Sequence, residues 1–301
     1  MALSLDTRRS VPAALGSFLE REFDQSMRRL NQACGWKPQD RIEGVHEFRR
    51  SVKRLRAALQ LTAGVVEKSA LHSLDRALGD AARRLGSLRD AHARRIAAER
   101  VAKLLPRQWR ALAMDAWRAS GGSVAEAAAG LSAEAVQVLV QACRIEMDSI
   151  RKRTQAMDLR RVDAEVITAA VAHAWGRARD RFGAKWVRRD EAWLHAARKR
   201  AQRAANVLVM VSGWGGRFSR EAERRLRLAA GLLGEARDAE LMLERIPEQP
   251  AESVLHNVVH RVREAAQARR VKVLRQAQRE GVAALRVGRG ECRKNLRRMM
   301  N

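Results

Sequence analysis

Six side chains in one short stretch can together hold an anion: His46, Arg49, Arg50, Lys53, Arg54 and Arg56. Arg offers a planar fork of N–H donors, Lys a compact charge, and His a donor that gains charge when an anion raises its pKa. At about 100° per residue the six spread over a broad helix face centred on His46 and Lys53. The opposite side carries Val45, Phe48, Val52, Leu55, Leu59 and Val66 at spacings of three, four and seven, a stripe suited to burial. Between Val45 and Leu61 the only acid is Glu47. Solvated helix faces usually mix signs, because opposite charges four residues apart stabilise a helix. A cluster of one sign costs stability unless an anion neutralises it. A single Arg-rich stripe is also ordinary in a basic chain, so on its own it leaves both a solvated face and a polyanion site open.

The stripe recurs. His195, Arg198, Lys199 and Arg203 each follow His46, Arg49, Arg50 and Arg54 by 149 residues, and Leu194, Ala197, Ala201, Ala204 and Leu208 repeat the apolar positions. A second block, residues 85–90 (LGSLRD), returns as residues 233–238 (LGEARD) at an offset of 148, with Arg76 and Arg224 in the same register. Two blocks in one order at nearly one offset indicate tandem duplication. The expected architecture is all-α: two tandem four-helix repeats with pseudo-twofold symmetry around a basic central cavity. Within a single domain 1–301, repeat one covers about 11–155, repeat two about 160–285, and a basic tail 286–301, which either binds polyanion or is disordered. The repeated blocks add Arg89 and Arg237 to the anion-binding candidates, and a second tier comprises Arg76, Arg177, Arg181 and Arg224. Asp90 and Asp238 end the blocks and either hold a nearby Arg or help the adjoining turn.

The elements that must carry these residues are helices. Ala, Leu, Arg and Glu dominate, only five Pro occur, and no alternating strand pattern is present. The periodicity predicts helices at 12–34, 41–66, 70–104, 107–119, 133–155, 162–181, 188–212, 218–245 and 251–281. The first buries Leu15, Leu19, Phe23, Met27 and Leu30, and most of the seven Trp read as core. At 46% hydrophobic residues the chain has the means to form a sizeable core. Sixty Lys and Arg against 34 Asp and Glu give a formal charge of +26, a field that concentrates polyanions without choosing among nucleic acid, anionic membrane and polyphosphate. Aromatics are 4% with no Tyr, poor provision for stacking unpaired bases. No run approaches the ~18 apolar residues of a membrane span. Cys34, Cys143 and Cys292 form no CxxC pair and fit a reducing, cytoplasmic setting.

Catalytic and metal signatures are missing: no P-loop, Rossmann fingerprint, GxSxG or zinc pattern occurs. The chain reads as a binding protein, not an enzyme, without a cofactor. His46 and His195 are read as phosphate donors, with a backbone-bonded helix-start role as the alternative, because no acid or Cys repeats beside them at ligand spacing. His256 and His260 stand four apart but lack a third ligand and read as surface residues. Glu20-Arg21-Glu22 lacks the basic residue of an ExExK pattern and reads as a solvated face.

The stretch Val45-His46-Glu47-Phe48-Arg49-Arg50-Ser51-Val52-Lys53-Arg54-Leu55-Arg56 resembles the signature of the CHAD family, the conserved histidine α-helical domain. Leu194-His195-Ala196-Ala197-Arg198-Lys199-Arg200-Ala201-Gln202-Arg203 resembles its second-half motif, with Gln202 in place of a basic residue. The LGxxRD blocks and the stretch Arg177–Arg181 are similar to further elements of the family, so the likeness spans about residues 11–285. It implies two four-helix repeats around a basic cavity, binding of inorganic polyphosphate and association with polyphosphate granules in the cytoplasm. Other granule proteins are implied as possible partners and nucleic acid as a weaker competitor, with no membrane. Some family members carry a triphosphate-cleaving CYTH domain; no ExExK motif is present, and the resemblance implies a stand-alone binder with a stronger first half.

Overall fold

The structure, a computed structural model, describes residues 4–35, 37–118, 133–183, 190–214, 216–245 and 256–300. The described chain is a succession of eleven helices, with one isolated bridge between Ala63 and Val66 and no longer strand among the described residues. In order they are α1 Val11–Ala33, α2 Pro38–Gln60, α3 Lys68–Arg84, α4 Gly86–Ala102, α5 Arg107–Trp117, α6 Ala133–Gln155, α7 Ala164–Phe182, α8 Glu191–Met210, α9 Gly216–Arg245, α10 His256–Ala284 and α11 Arg289–Met300.

Local chemistry sets several ends. Pro stands in the first turn of α1 and of α2, where its missing N–H removes nothing from the helix. Asp163 caps α7 by accepting from the Val166 N–H at 2.8 Å, and Asp190 caps α8 by accepting from Trp193 at 2.7 Å. The long helix predicted over 70–104 is broken: α3 ends at Arg84, Leu85 leaves helical geometry at φ −92° and ψ 13°, and α4 begins at Gly86. The equivalent LGxxRD block of the second half lies inside the unbroken α9.

Packing follows the predicted stripes. Leu15, Leu19, Phe23 and Leu30 of α1 are buried with Met27 packed beside them, as are Val45, Phe48, Val52, Leu55 and Leu59 of α2 and Leu194, Ala197, Ala201, Ala204 and Leu208 of α8. Val66 lies beyond the end of α2 and is only partly covered. α1 packs on α2 and α6, and α2 on α3; α7 packs on α8 and α11, and α8 on α9. The two sets meet where α2 touches α8 and α4 touches α9. A separate apolar layer joins α4, α5, the end of α9 and the start of α10 through Val101, Leu105, Trp117, Val259 and Val262. Trp175 is fully buried and Trp117 nearly so, while Trp109, Trp193 and Trp214 pack at the edges of the two layers. Trp36 and Trp186 lie outside the described residues.

Of the two readings of residues 286–301, the disordered one does not hold. Residues 289–300 form α11, Cys292 and Leu296 are buried in the main layer, and Trp175 Nε1 donates to the Val287 carbonyl at 3.1 Å. Arg293 and Arg297 both hold Glu165 of α7. Apolar residues Cys292 and Leu296, four apart, carry that helix onto α7 despite its basic composition.

Candidate anion-binding site

The motif helices α2 and α8 lie against each other, and α3 supplies the acid at their junction. Arg56 grips Asp75 with both edges of its fork, Nε to Oδ1 at 2.8 Å and Nη2 to Oδ2 at 2.6 Å. Arg203 Nη2 approaches the same carboxylate at 3.5 Å. One cation from each half of the sequence thus converges on one carboxylate. Burial pushes Asp75 upward, but the hydrogen bond and charge of Arg56, followed by the charges of Arg203 and His72, hold it below the ordinary carboxylate value. Burial holds Arg203 below its usual value against the pull of Asp75, and Arg56 and Arg177 add to the depression. Two guanidiniums for one carboxylate leave a net positive junction.

The remaining candidates divide by what already holds them. Arg54 is not on an open face. Its side chain is 13% exposed, its Nε donates to Glu22 Oε2 at 2.8 Å, and its Nη2 donates to Ser51 at 2.9 Å. Glu22 is 5% exposed, which corrects the reading of Glu20-Arg21-Glu22 as a solvated face. Glu20 is likewise engaged, by Arg151 of α6 at 2.8 Å. Arg49 reaches from α2 to the Ala82 carbonyl of α3 at 3.4 Å. Arg198, its counterpart by offset, lays its guanidinium against Gly234 of α9, where an added Cβ would stand 3.1 Å from Nη2. Arg50 pairs with Glu47 at 2.8 Å, and exposed His46 lies 3.9 Å from the same carboxylate. Lys53 is partly buried on α2, and Lys199 is exposed on α8.

His195 is exposed beside a group of cations. Burial, then Lys199, Arg198 and Arg237, keep it below the ordinary imidazole value, and Glu191 only partly offsets them. A negative charge beside the ring opposes that depression, as Glu191 already does in part. Arg237 itself is shared between Glu244 at 3.0 Å and Glu191 at 3.8 Å.

In the second tier, Arg224 forks onto Glu221 on the exposed side of α9, and Arg76 lies 3.3 Å from His72 Nε2. Arg181 stacks over Trp193 at 5.6 Å, and Arg177 is exposed on α7. The side chains of Arg89 and Asp90 lie outside the described residues. Asp238 is inside α9, not at a turn, and stands 3.5 Å from Arg100 of α4. The residue missed at sequence level is Asp75. It sits outside both motifs on α3, and nothing in its neighbourhood announces two Arg partners 19 residues before it and 128 after it.

His256 and His260 stack with ring centroids 6.3 Å apart at the rim of a cavity of about 510 Å³ in the separate apolar layer, away from α2 and α8. Among the described residues no group of three or more His, Cys, Asp or Glu is arranged to hold a metal. Burial pushes the Cys143 thiol, which donates to the Ala81 carbonyl, up to about 11 and that of Cys292 up to about 12. No described helix is long and apolar enough to cross a membrane.

Residues 23–212 match the family model described as the CHAD domain. No curated protein matches the chain. Among solved structures the chain is similar to the crystal structure of the CHAD domain from the plant Ricinus communis, with 21% identity, 95% of each chain covered and a TM-score of 0.59. At that identity the likeness speaks for the fold.

Proposed function

The chain belongs to the CHAD domain family, and from that premise we propose that it binds inorganic polyphosphate through the basic faces of α2 and α8. The observation that carries the reading is the convergence of Arg56 and Arg203 on the one carboxylate of Asp75, which joins the two motif helices into one surface with more positive than negative charge. A flexible polyphosphate strand crosses this junction. Arg forks and Lys ammoniums engage successive phosphates, and released counterions supply much of the driving force. Arg54 serves the fold through Glu22, and the cations that meet ligand are Arg49, Lys53 and Arg56 from α2 with Arg198, Lys199 and Arg203 from α8. His46 and His195 add hydrogen bonds to phosphate oxygens. Selectivity is geometric: Arg56 and Arg203 stand close enough to meet one carboxylate, a spacing that suits a thin strand better than a duplex ~20 Å across, judged from its grooves. The protein acts as a binder without a catalytic step, in the cytoplasm and at polyphosphate granules. An adaptor role there is compatible with Val138 and Ile145, seven apart on α6 and 69% and 64% exposed.

The test is a competition titration at physiological salt. Labelled long-chain polyphosphate is displaced by unlabelled polyphosphate, DNA or RNA from wild type and from Arg49→Gln/Lys53→Gln/Lys199→Gln. Polyphosphate should compete far better than either nucleic acid. Three lost contacts should reduce the magnitude of the log affinity against log salt slope by about 2. Equal competition by all three polyanions, or a variant with the wild-type slope, removes the motif faces as a specific polyphosphate site.

A further inference from the structure

Beside Arg200 of the second motif, further cations gather on α7 and at the start of α11, where neither motif reaches. Gly176 lies within α7, and the stem of Arg289, from the start of α11, occupies the place its side chain would take. A Cβ there would stand 3.2 Å from Arg289 Cδ and 3.7 Å from Cγ. The next residue, Arg177, accepts through its backbone carbonyl a hydrogen bond of 3.4 Å from Arg200 Nη1 of α8. Arg200 precedes Arg203 by about one turn on α8, and His173 precedes Arg177 by about one turn on α7. His173, Arg177 and Arg289 are exposed.

These groups feel one another. Burial, then Arg289 and Arg177, keep His173 below the ordinary imidazole value. Burial, then Arg181 and Arg177, lower Arg200, with Asp180 opposing. The charge of Arg177 also lowers Arg203 at the motif junction. Acids are few along this line. Asp75 sits at its α2 end, Asp180 acts on Arg200, and Glu165 is already held by Arg293 and Arg297. Among the described residues no ion pair engages Arg177, Arg200 or Arg289. Like charges brought together from separate helices with few interleaved acids cost stability until an anion lies across them.

We infer that the polyanion track does not end at the motif helices but continues from Arg56 and Arg203 over Arg200 and Arg177 to His173 and Arg289, so that the C-terminal helix supplies part of the binding surface. For its ligand this rests on the polyphosphate reading; the track itself rests on the close approach of α11 to Gly176 and the Arg200–Arg177 hydrogen bond. A strand long enough to run the track meets both parts, whereas tripolyphosphate meets only one.

The test uses the full chain, the track variant Arg177→Gln/Arg289→Gln, and a charge-matched control, Arg28→Gln/Arg107→Gln, which removes two exposed cations from α1 and α5. Circular dichroism confirms equal helicity. With long-chain polyphosphate the salt slope of the track variant should shrink by about 1.4 against wild type, ~0.7 for each lost contact, while the control keeps the wild-type slope. Affinity for tripolyphosphate should stay within about twofold of the control, as one part of the track is intact. On immobilised heparin the track variant should elute at lower salt than the control. Coincidence of track variant and control on both long probes overturns the inference. If the track variant shifts on heparin but none of the proteins binds polyphosphate, the track stands and the polyphosphate reading falls.

Discussion

Arg54 and Arg56 stand two positions apart on one helix, and their surroundings give them different work. Arg54 points inward, where Glu22 and Ser51 satisfy it, and Ser26 donates to the Glu22 carbonyl at 2.8 Å. Arg56 is about one-third exposed, and its partner Asp75 also lies near Arg203, so an anion entering the junction competes with Asp75 for two forks. The first pair is a matter of stability. Removing one member of a buried ion pair strands the other, a cost of about 3–5 kcal/mol. Glu22→Ala should therefore lose about that much stability in urea denaturation. Glu47→Ala, which frees exposed Arg50, should lose no more than about 1 kcal/mol. Because the buried pair costs desolvation of both charges, Glu22→Leu/Arg54→Leu should recover much of the loss. A Glu22→Ala variant as stable as wild type would return Arg54 to the list of ligand-binding cations.

At the scale of elements, two glycines with opposite surroundings test the packing. Gly44 of α2 lets that helix lie against α1: an added Cβ would stand 2.5 Å from the backbone N of Ala33 and 2.8 Å from its Cα, atoms that cannot rotate away. Gly231 of α9 has nothing within 4 Å. Gly44→Ala should overpack the α1–α2 crossing and cost about 1–3 kcal/mol. Gly231→Ala should gain about 0.5–1 kcal/mol by reducing the freedom of the unfolded chain. Thermal melts of both variants read the signs, and a neutral Gly44→Ala would contradict the close crossing. The helices were legible in the sequence where apolar stripes run long, as at Leu15–Leu30 and Val45–Leu59. Residues 70–104 read as one helix because nothing but Gly86 marks the break, and the same Leu-Gly pair at Leu233 and Gly234 sits inside a continuous helix. α11 was missed because Arg and Lys surround the few residues, Cys292 and Leu296, that dock it. The motif cations were legible from spacing alone, but their long-range partners, Glu22 for Arg54 and Asp75 for Arg56 and Arg203, depend on which helices meet.

For the whole molecule the governing quantity is the formal charge of +26, spread over a fold whose α2–α8 junction already holds more cations than acids. Self-repulsion of that size destabilises the compact state, and salt screens it, with a Debye length of about 10 Å at 0.1 M. The ligand-free protein should therefore melt at higher temperature as sodium chloride is added. Saturating long-chain polyphosphate acts by mass action as well as by neutralisation, adding about 2.7 kcal/mol at a hundredfold excess over Kd. That contribution must shrink with salt, because log affinity falls linearly with log salt. The two melting curves should then have opposite slopes, rising with salt for the free protein and falling for the complex, and should converge once the ligand has dissociated. Differential scanning fluorimetry across a salt series measures both. Parallel rising slopes would mean that polyphosphate neither occupies nor neutralises the basic surface, whereas a falling slope for the complex shows that it binds through the charge the free chain carries in excess.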